Sequence, residues 1–117
     1  MAPLDTSDAR PITSADDFER LLREAEGRPH LIVAIYRKSS GKQTVSFHAL
    51  LETAMCHGWV DTQTKRIDDE RYAIRFVPRT PRSTWGPKNR AMAARMLAAG
   101  RVEPAGLATI PADVNGH

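Results

Sequence analysis

The sequence predicts one α+β domain in which three helices pack on a small, largely antiparallel three-stranded sheet. Its 117 residues suffice for a single domain. Some segments space their apolar residues as a helix does, and others as a strand does. The segments follow the order α-β-α-β-β-α with a short helical turn at the end, which is typical of helices layered on a sheet. We place the domain at residues 13–110, between a flexible N-terminal tail (1–12) and a polar C-terminal tail (111–117).

The first helix is predicted to begin after Ser14 and to end before Gly27. Serine is a favoured N-cap because its hydroxyl accepts a hydrogen bond from a free backbone N–H of the first turn. Glycine and the following Pro29 end a helix. Between them, apolar residues recur at the spacing of a helix with one buried face: Phe18, Leu21, Leu22 and Ala25.

The first strand and the second helix follow. Residues 31–36 are continuously apolar, which indicates a central strand that is buried on both faces. After a turn at residues 39–42, Ser46 is predicted to cap a helix that ends at Gly58. The buried stripe of this helix is predicted to comprise Phe47, Leu50, Leu51, Ala54 and Met55.

Two strands and a last helix complete the domain. Residues 59–67 and 72–77 have strand character, and the short polar loop between them predicts an antiparallel hairpin. Alternation along the second strand places Arg75 on the face opposite Ile74. Ser83 or Thr84 is predicted to cap a helix that runs to about residue 99.

Composition limits the class of protein. No segment reaches the 18 or so consecutive apolar residues that indicate a membrane span. The polar first residues lack the apolar core of a secretion signal. The single cysteine, Cys56, cannot form a disulfide within the chain, which suits a reducing compartment. We therefore expect a cytoplasmic protein.

The charges are unevenly distributed along the chain. Residues 71–102 contain no Asp or Glu, so a basic surface that attracts anions is expected there. A solvated basic face without a partner is the alternative. Arginine predominates, and its guanidinium favours bidentate contacts with phosphate or carboxylate. The basic residues are Arg71, Arg75, Arg79, Arg82, Lys88, Arg90, Arg95 and Arg101.

Within this segment the sequence predicts an anion-binding site. Three arginines lie close enough in sequence to converge, and a serine near a helix N-terminus offers free N–H groups to an anion. Trp85 either stacks on a ligand or covers the edge of the core. Asp61 is expected to pair with an arginine and hold it in place. The predicted ligand-binding residues are Arg75, Arg79, Arg82, Ser83, Trp85, Asn89, Trp59 and Asp61.

Catalytic and metal-binding signatures give no comparable signal. The sequence has none of the motifs of a nucleophile elbow, a phosphate-binding loop, a dinucleotide fold or a zinc protease. His48 and Glu52 share a helix face, but the neighbours Cys56 and His57 point in different directions. We therefore predict no catalytic residue, no metal site and no cofactor.

Four stretches carry a resemblance to a known family. They are IYRKSSGK (Ile35–Lys42), CHGWVD (Cys56–Asp61), DDERYAIRFVPRTPRSTWGPKNR (Asp68–Arg90) and AAGRVEPAGLATI (Ala98–Ile110). With them the chain resembles the YdeI/OmpD-associated family of bacterial proteins, often labelled bacteriocin-protection proteins. The chain departs from the family pattern at His57, Thr62, Val102, Ala49 and Thr53, and lacks a counterpart of the family's C-terminal helical segment.

The resemblance implies a role in resistance to bacteriocins, cationic antimicrobial peptides and envelope stress, but no reaction, cofactor or catalytic residue. Because a positive surface repels cationic peptides, we expect indirect protection. Our leading hypothesis is a non-enzymatic domain that binds an anionic ligand or a protein partner through its arginine-rich segment. The alternatives are a nucleic-acid-binding protein that uses the same surface, and an enzyme acting on a small anionic substrate through Cys56 or Asp61.

Overall fold

Helices and strands are interspersed along the chain in the computed structural model, which describes residues 4–80 and 84–115. The strands are β1 (Arg10–Pro11), β2 (Leu31–Tyr36), β3 (Trp59–Arg66) and β4 (Arg71–Pro78). The helices are α1 (Ala15–Glu24), α2 (Phe47–Cys56), α3 (Pro87–Ala98) and the short α4 (Pro104–Leu107) and α5 (Ala112–Asn115). The predicted α+β class is confirmed.

The sheet differs in detail from the prediction, because it has four strands in the order β1-β2-β4-β3. β3 pairs antiparallel with β4 in the predicted hairpin; β2 also pairs antiparallel with β4, whereas β1 pairs parallel with β2. The additional strand comes from the segment that the sequence indicated as a tail. Leu4 and Ile12 of that segment are buried. Single apolar residues among polar ones and prolines lack the periodicity by which a strand is predicted.

Side-chain caps fix the first two helices where the sequence predicts them. Ser14 Oγ accepts a hydrogen bond from Asp17 N at 3.1 Å, and Ser46 Oγ accepts one from Ala49 N at 3.0 Å. The prediction of the buried stripe is wrong at Phe47, which is exposed. As the first residue of α2, it lies at the end of the apolar stripe.

α3 begins later than predicted. Its N-cap is Gly86, without a side-chain hydrogen bond, and Thr84 lies outside the helix. Ser83, the other predicted cap, falls outside the described residues. Pro87 occupies the first helical position, where its fixed φ suits the helix and its missing N–H costs nothing. The proline, rather than a hydroxyl cap, therefore marks the start.

The core lies between the sheet and the helices. Phe18 of α1 packs on Phe76 of β4 with their ring centroids 4.7 Å apart. A second buried cluster joins α2 to α3 through Met55, Cys56 and Met92. On the opposite face of the sheet, a third small cluster consists of Leu4, Ile32 and Ala73. The two faces of β4 thus meet different surroundings, which decides where its arginines lie.

Candidate anion-binding site

Arg75 and Asp61 lie on opposite faces of the sheet. Arg75 is paired with Ile32 of β2 and with Gln63 of β3, and it shares the face on which Ile32 packs. Asp61 is paired with Phe76, whose ring belongs to the core under the helices. Residues directly opposite each other in an antiparallel pair share a face. The structure therefore does not bring Arg75 to Asp61.

Arg79, just beyond the end of β4, lies on the helix side. Its backbone N–H donates to the carbonyl oxygen of Gly58 at 2.8 Å. Its guanidinium carbon lies 4.1 Å from the centroid of the Trp85 ring, well within the range of a cation–π contact. Trp85 also packs against the buried cluster that joins α2 to α3. The ring therefore covers the core and supports the arginine at the same time.

The guanidinium of Arg79 is partly removed from water without a matching negative partner. Its Nε is buried and has no hydrogen-bond partner among the described residues. Burial lowers the pKa of Arg79, and the negative charge of Asp61 acts in the opposite direction. Among residues 4–80 and 84–115, Arg79 forms no ion pair with a carboxylate. A buried cation in this state is costly unless another group supplies the negative charge.

A small recess brings together four of the predicted site residues: Trp59, Asp61, Arg79 and Asn89. Its volume of about 10 Å³ is close to the minimum for a single water molecule. Trp59 belongs to the buried core, so its role here is to wall the recess rather than to offer an exposed stacking surface.

Arg79 also lines a larger cleft of about 390 Å³ between the end of α1, the start of β3 and α4. This volume is typical of a site for a small ligand. Leu22, Trp59 and Pro78 supply apolar walls. The polar lining residues that sequence reasoning missed include Arg23, His57 and Glu103. They come from three distant segments, so no local pattern could have grouped them.

Three other arginines of the basic segment pair with separate carboxylates. Arg71 donates from Nε and Nη2 to Asp68 Oδ2 at 3.0 and 2.9 Å. Arg90 Nη1 donates to Asp113, and Arg101 Nη1 lies 4.0 Å from a carboxylate oxygen of Glu52. The structure thus splits the acid-free segment instead of gathering it into one positive surface. Arg82 and Ser83 fall outside the described residues.

A family model described as a domain of unknown function, DUF8412, matches residues 10–109. The chain belongs to this family. The matched range includes every residue that lines the recess and the cleft. No curated protein and no solved structure matches the chain.

If this DUF8412 domain were an enzyme, Cys56 would be poorly placed to act as its nucleophile. Cys56 is buried in the core, and burial raises the pKa of its thiol, so the reactive thiolate is disfavoured. The enzyme alternative therefore retains only Asp61.

A cleft of about 600 Å³ also opens beside the end of α1, away from the predicted site residues. Its charged lining is mixed, with Asp8 and Glu24 against Arg10 and Arg28. Arg10 is already 3.9 Å from Glu24. This cleft is therefore less favourable for an anion than the surroundings of Arg79.

Within the described part of the chain, the DUF8412 domain has no helix of the length and apolarity needed to cross a bilayer.

Proposed function

We propose that this DUF8412 domain is a non-enzymatic binding domain that takes an anionic group of a ligand or protein partner at Arg79. The observation that carries the proposal is that the guanidinium of Arg79 lines the cleft beside the Trp85 ring and forms no ion pair with a carboxylate among the described residues. A carboxylate or phosphate would supply the missing charge and hydrogen-bond acceptors together. The adjoining cleft gives room for the rest of the ligand.

The geometry around Arg79 favours a planar, directional contact. The guanidinium carbon of Arg79 lies over the Trp85 ring, so the ring covers one face of the group while its terminal N–H donors remain for hydrogen bonds. The bond from Arg79 N to Gly58 O fixes the backbone at the same position. An anion therefore meets a group that is already oriented, so little ordering free energy is lost on binding.

The resemblance to YdeI/OmpD-associated proteins supports a role in resistance to bacteriocins or cationic antimicrobial peptides. A cationic peptide is repelled by a free guanidinium, so we propose that the protection is indirect, through an anionic ligand or an acidic partner. A bacterial strain that gains survival from this chain should lose the gain when Arg79→Gln replaces the wild type.

The binding function is tested by thermal shift with matched compounds. Small carboxylates and phosphate esters are compared with their amide and alcohol counterparts. Anionic members should raise the melting temperature, since a ligand at 100 times its Kd adds about 2.7 kcal/mol of stability. Arg79→Gln should abolish this response, and Arg75→Gln, on the other face of the sheet, should retain it. Equal responses of the two variants would contradict the proposal.

Nucleic-acid binding through the same surface is separated from this function by salt. Phosphate contacts with a basic surface release counterions, so affinity for an oligonucleotide would fall steeply between low and moderate salt. Arg71 and Arg90 are already paired with aspartates, so fewer arginines remain for contacts with phosphates, which argues against nucleic-acid binding. Oligonucleotide affinity that falls steeply with salt and survives Arg79→Gln would favour the nucleic-acid function over ours.

A further inference from the structure

Three side chains with metal-ligating atoms meet where α1, the end of α2 and the start of α4 come together. They are Glu19 of α1, His57 directly after α2, and Glu103 directly before α4. One ligand atom from each lies within 4.8 Å of the others. His57 Nε2 is 3.8 Å from Glu19 Oε2.

The ring of His57 is largely covered by protein, yet it has no hydrogen bond within the described residues. Only 9% of its side chain is exposed, and Nε2 lies 3.8 Å from the Glu19 carboxylate. Imidazole nitrogens with little access to water are commonly satisfied by a hydrogen bond or a metal. The ring therefore has coordination capacity that the protein itself leaves unused, and it is aimed at a carboxylate.

Backbone contacts hold two of the three ligands side by side. Glu103 N donates to the carbonyl oxygen of Cys56, the residue before His57, at 2.9 Å. Gly106 of α4 packs so closely on the same carbonyl that an added Cβ would lie 2.3 Å from it. Glu103 is the N-cap residue of α4, but its carboxylate makes no capping hydrogen bond. No capping bond therefore holds that carboxylate away from His57.

A positive charge already lies between the two carboxylates. Arg23 Nη2 is 2.7 Å from Glu19 Oε1 and 3.5 Å from Glu103 Oε1. The side chain of Arg23 is 62% exposed, so it can move into solvent when another cation takes its place. The pair of carboxylates is thus arranged around a cation, and Arg23 is the competitor that any metal ion must displace.

We propose that Glu19, His57 and Glu103 bind a divalent transition-metal ion, with Zn²⁺ the best match to one imidazole and two carboxylates. Tetrahedral zinc with bonds of about 2.1 Å brings its ligand atoms to about 3.4 Å of one another. Binding zinc therefore requires the ligand atoms, now up to 4.8 Å apart, to approach by at most about 1.4 Å, which rotation of the two glutamate side chains would supply. Three protein ligands leave one position open to water or to a group of a ligand.

This site lies beside the proposed anion site but does not depend on it. His57, Glu103 and Arg79 line the same cleft, so a bound metal ion would add positive charge there. Mg²⁺ and Ca²⁺ prefer purely oxygen ligands and are expected to bind weakly. Because the test uses a metal ion without any organic anion, its failure is distinguishable from failure of the anion-binding function.

The experiment is a Zn²⁺ titration of the full chain in competition with a chromogenic chelator. We expect one Zn²⁺ per chain and a loss of affinity of at least about tenfold in His57→Gln and in Glu103→Gln. His48→Gln is the matched control, because His48 Nε2 lies 3.4 Å from Glu52 Oε2 and forms a rival histidine–glutamate pair. Cys56→Ser controls for the thiol. Both controls should bind as the wild type does.

Arg23→Gln tests the site from the other direction. If Arg23 competes for the carboxylates, its removal should raise the affinity for Zn²⁺ severalfold, which a purely structural ion-pair cluster would not do. This variant keeps all three ligands, so it remains informative if His57→Gln does not fold. The proposal is overturned if the wild-type chain binds no Zn²⁺, or if only His48→Gln abolishes the binding. It is also overturned if Arg23→Gln lowers the affinity for Zn²⁺.

Discussion

The guanidinium of Arg79 stacks on the indole of Trp85, 4.1 Å from the ring centroid, instead of pairing with a carboxylate among the described residues. A cation–π contact stabilises a cation without using its N–H donors. Arg71 and Arg90 differ in this respect, because their donors are engaged by Asp68 and Asp113. Arg79 is therefore better placed than Arg71 and Arg90 to bind an external anion.

Replacing Arg79 by an apolar residue of similar length should change stability little. Arg79→Met removes a costly unpaired charge and also removes the contact with Trp85, so the two effects oppose each other. We expect the free energy of unfolding to change by no more than about 1 kcal/mol, measured by urea denaturation. A loss above about 3 kcal/mol is typical of breaking a buried pair and would show that Arg79 is structural.

The ring of Trp85 should contribute to binding through its π-face. Trp85→Leu keeps apolar packing on the cluster beneath α3 but removes the cation–π contact, so anion affinity should fall by about 0.5–2 kcal/mol. Trp85→Phe keeps an aromatic face and should lose less. Calorimetric titration of both variants with one anionic ligand from the thermal-shift screen measures the difference. Equal affinity of Trp85→Leu and wild type would mean that the indole only covers the core.

Gly106 should be required for the close approach of α4 to α2. A Cβ at this position would lie 2.3 Å from Cys56 O and 2.9 Å from Met55 O, and backbone atoms cannot move aside cheaply. Gly106→Ala should therefore cost about 1–3 kcal/mol of unfolding free energy. Gly86→Ala is the control for an added methyl without a clash, because nothing lies within 4 Å of its Cβ, and as the N-cap of α3 it should cost less than about 1 kcal/mol. Equal costs for the two variants would refute the packing argument.

Asp68, in the loop of the β3–β4 hairpin, should cause part of the protein's stability to be lost at acidic pH. Hydrogen bonds from Glu70 N, and then from the Arg71 side chain, lower the pKa of Asp68 below its usual value. Its contribution is complete above the unfolded-state pKa of about 3.9 and is lost as the pH falls through the lower folded-state pKa. Asp68→Asn should therefore show a shallower fall in stability below pH 4. Identical pH profiles would contradict this role.

Local signals allowed much of the fold to be predicted from the sequence. Ser14 and Ser46 cap their helices through contacts within three residues, so each cap is visible in a short window. β1 could not be predicted, because a two-residue strand exists only through its pairing with β2. Its stability is supplied by burial of Leu4 and Ile12 in the folded domain, not by any preference of the segment itself.

Part of the candidate site could also be predicted from the sequence, because some of its residues are near one another in the chain. Arg79 and Trp85 are close in sequence, so the segment that contains them could be singled out. The carboxylates that pair with other arginines, such as Asp113 with Arg90, come from distant segments, and the acid-free run gave no sign of them. Nor could spacing indicate that Glu19 and Glu103 meet at His57, since only the packing of α1 and α4 against α2 brings them together.

The most direct test of the account is side-chain NMR of the arginine Nε–H groups during titration with inorganic phosphate and acetate at constant ionic strength. Because Arg79 lines the cleft without a carboxylate partner among the described residues, its Nε–H signal should shift saturably, while that of Arg75 on the opposite face should not. The indole N–H of Trp85 should shift in parallel with Arg79. An Arg79 signal that stays unchanged at saturating anion, or that moves no more than the signal of Arg75, would contradict the central claim.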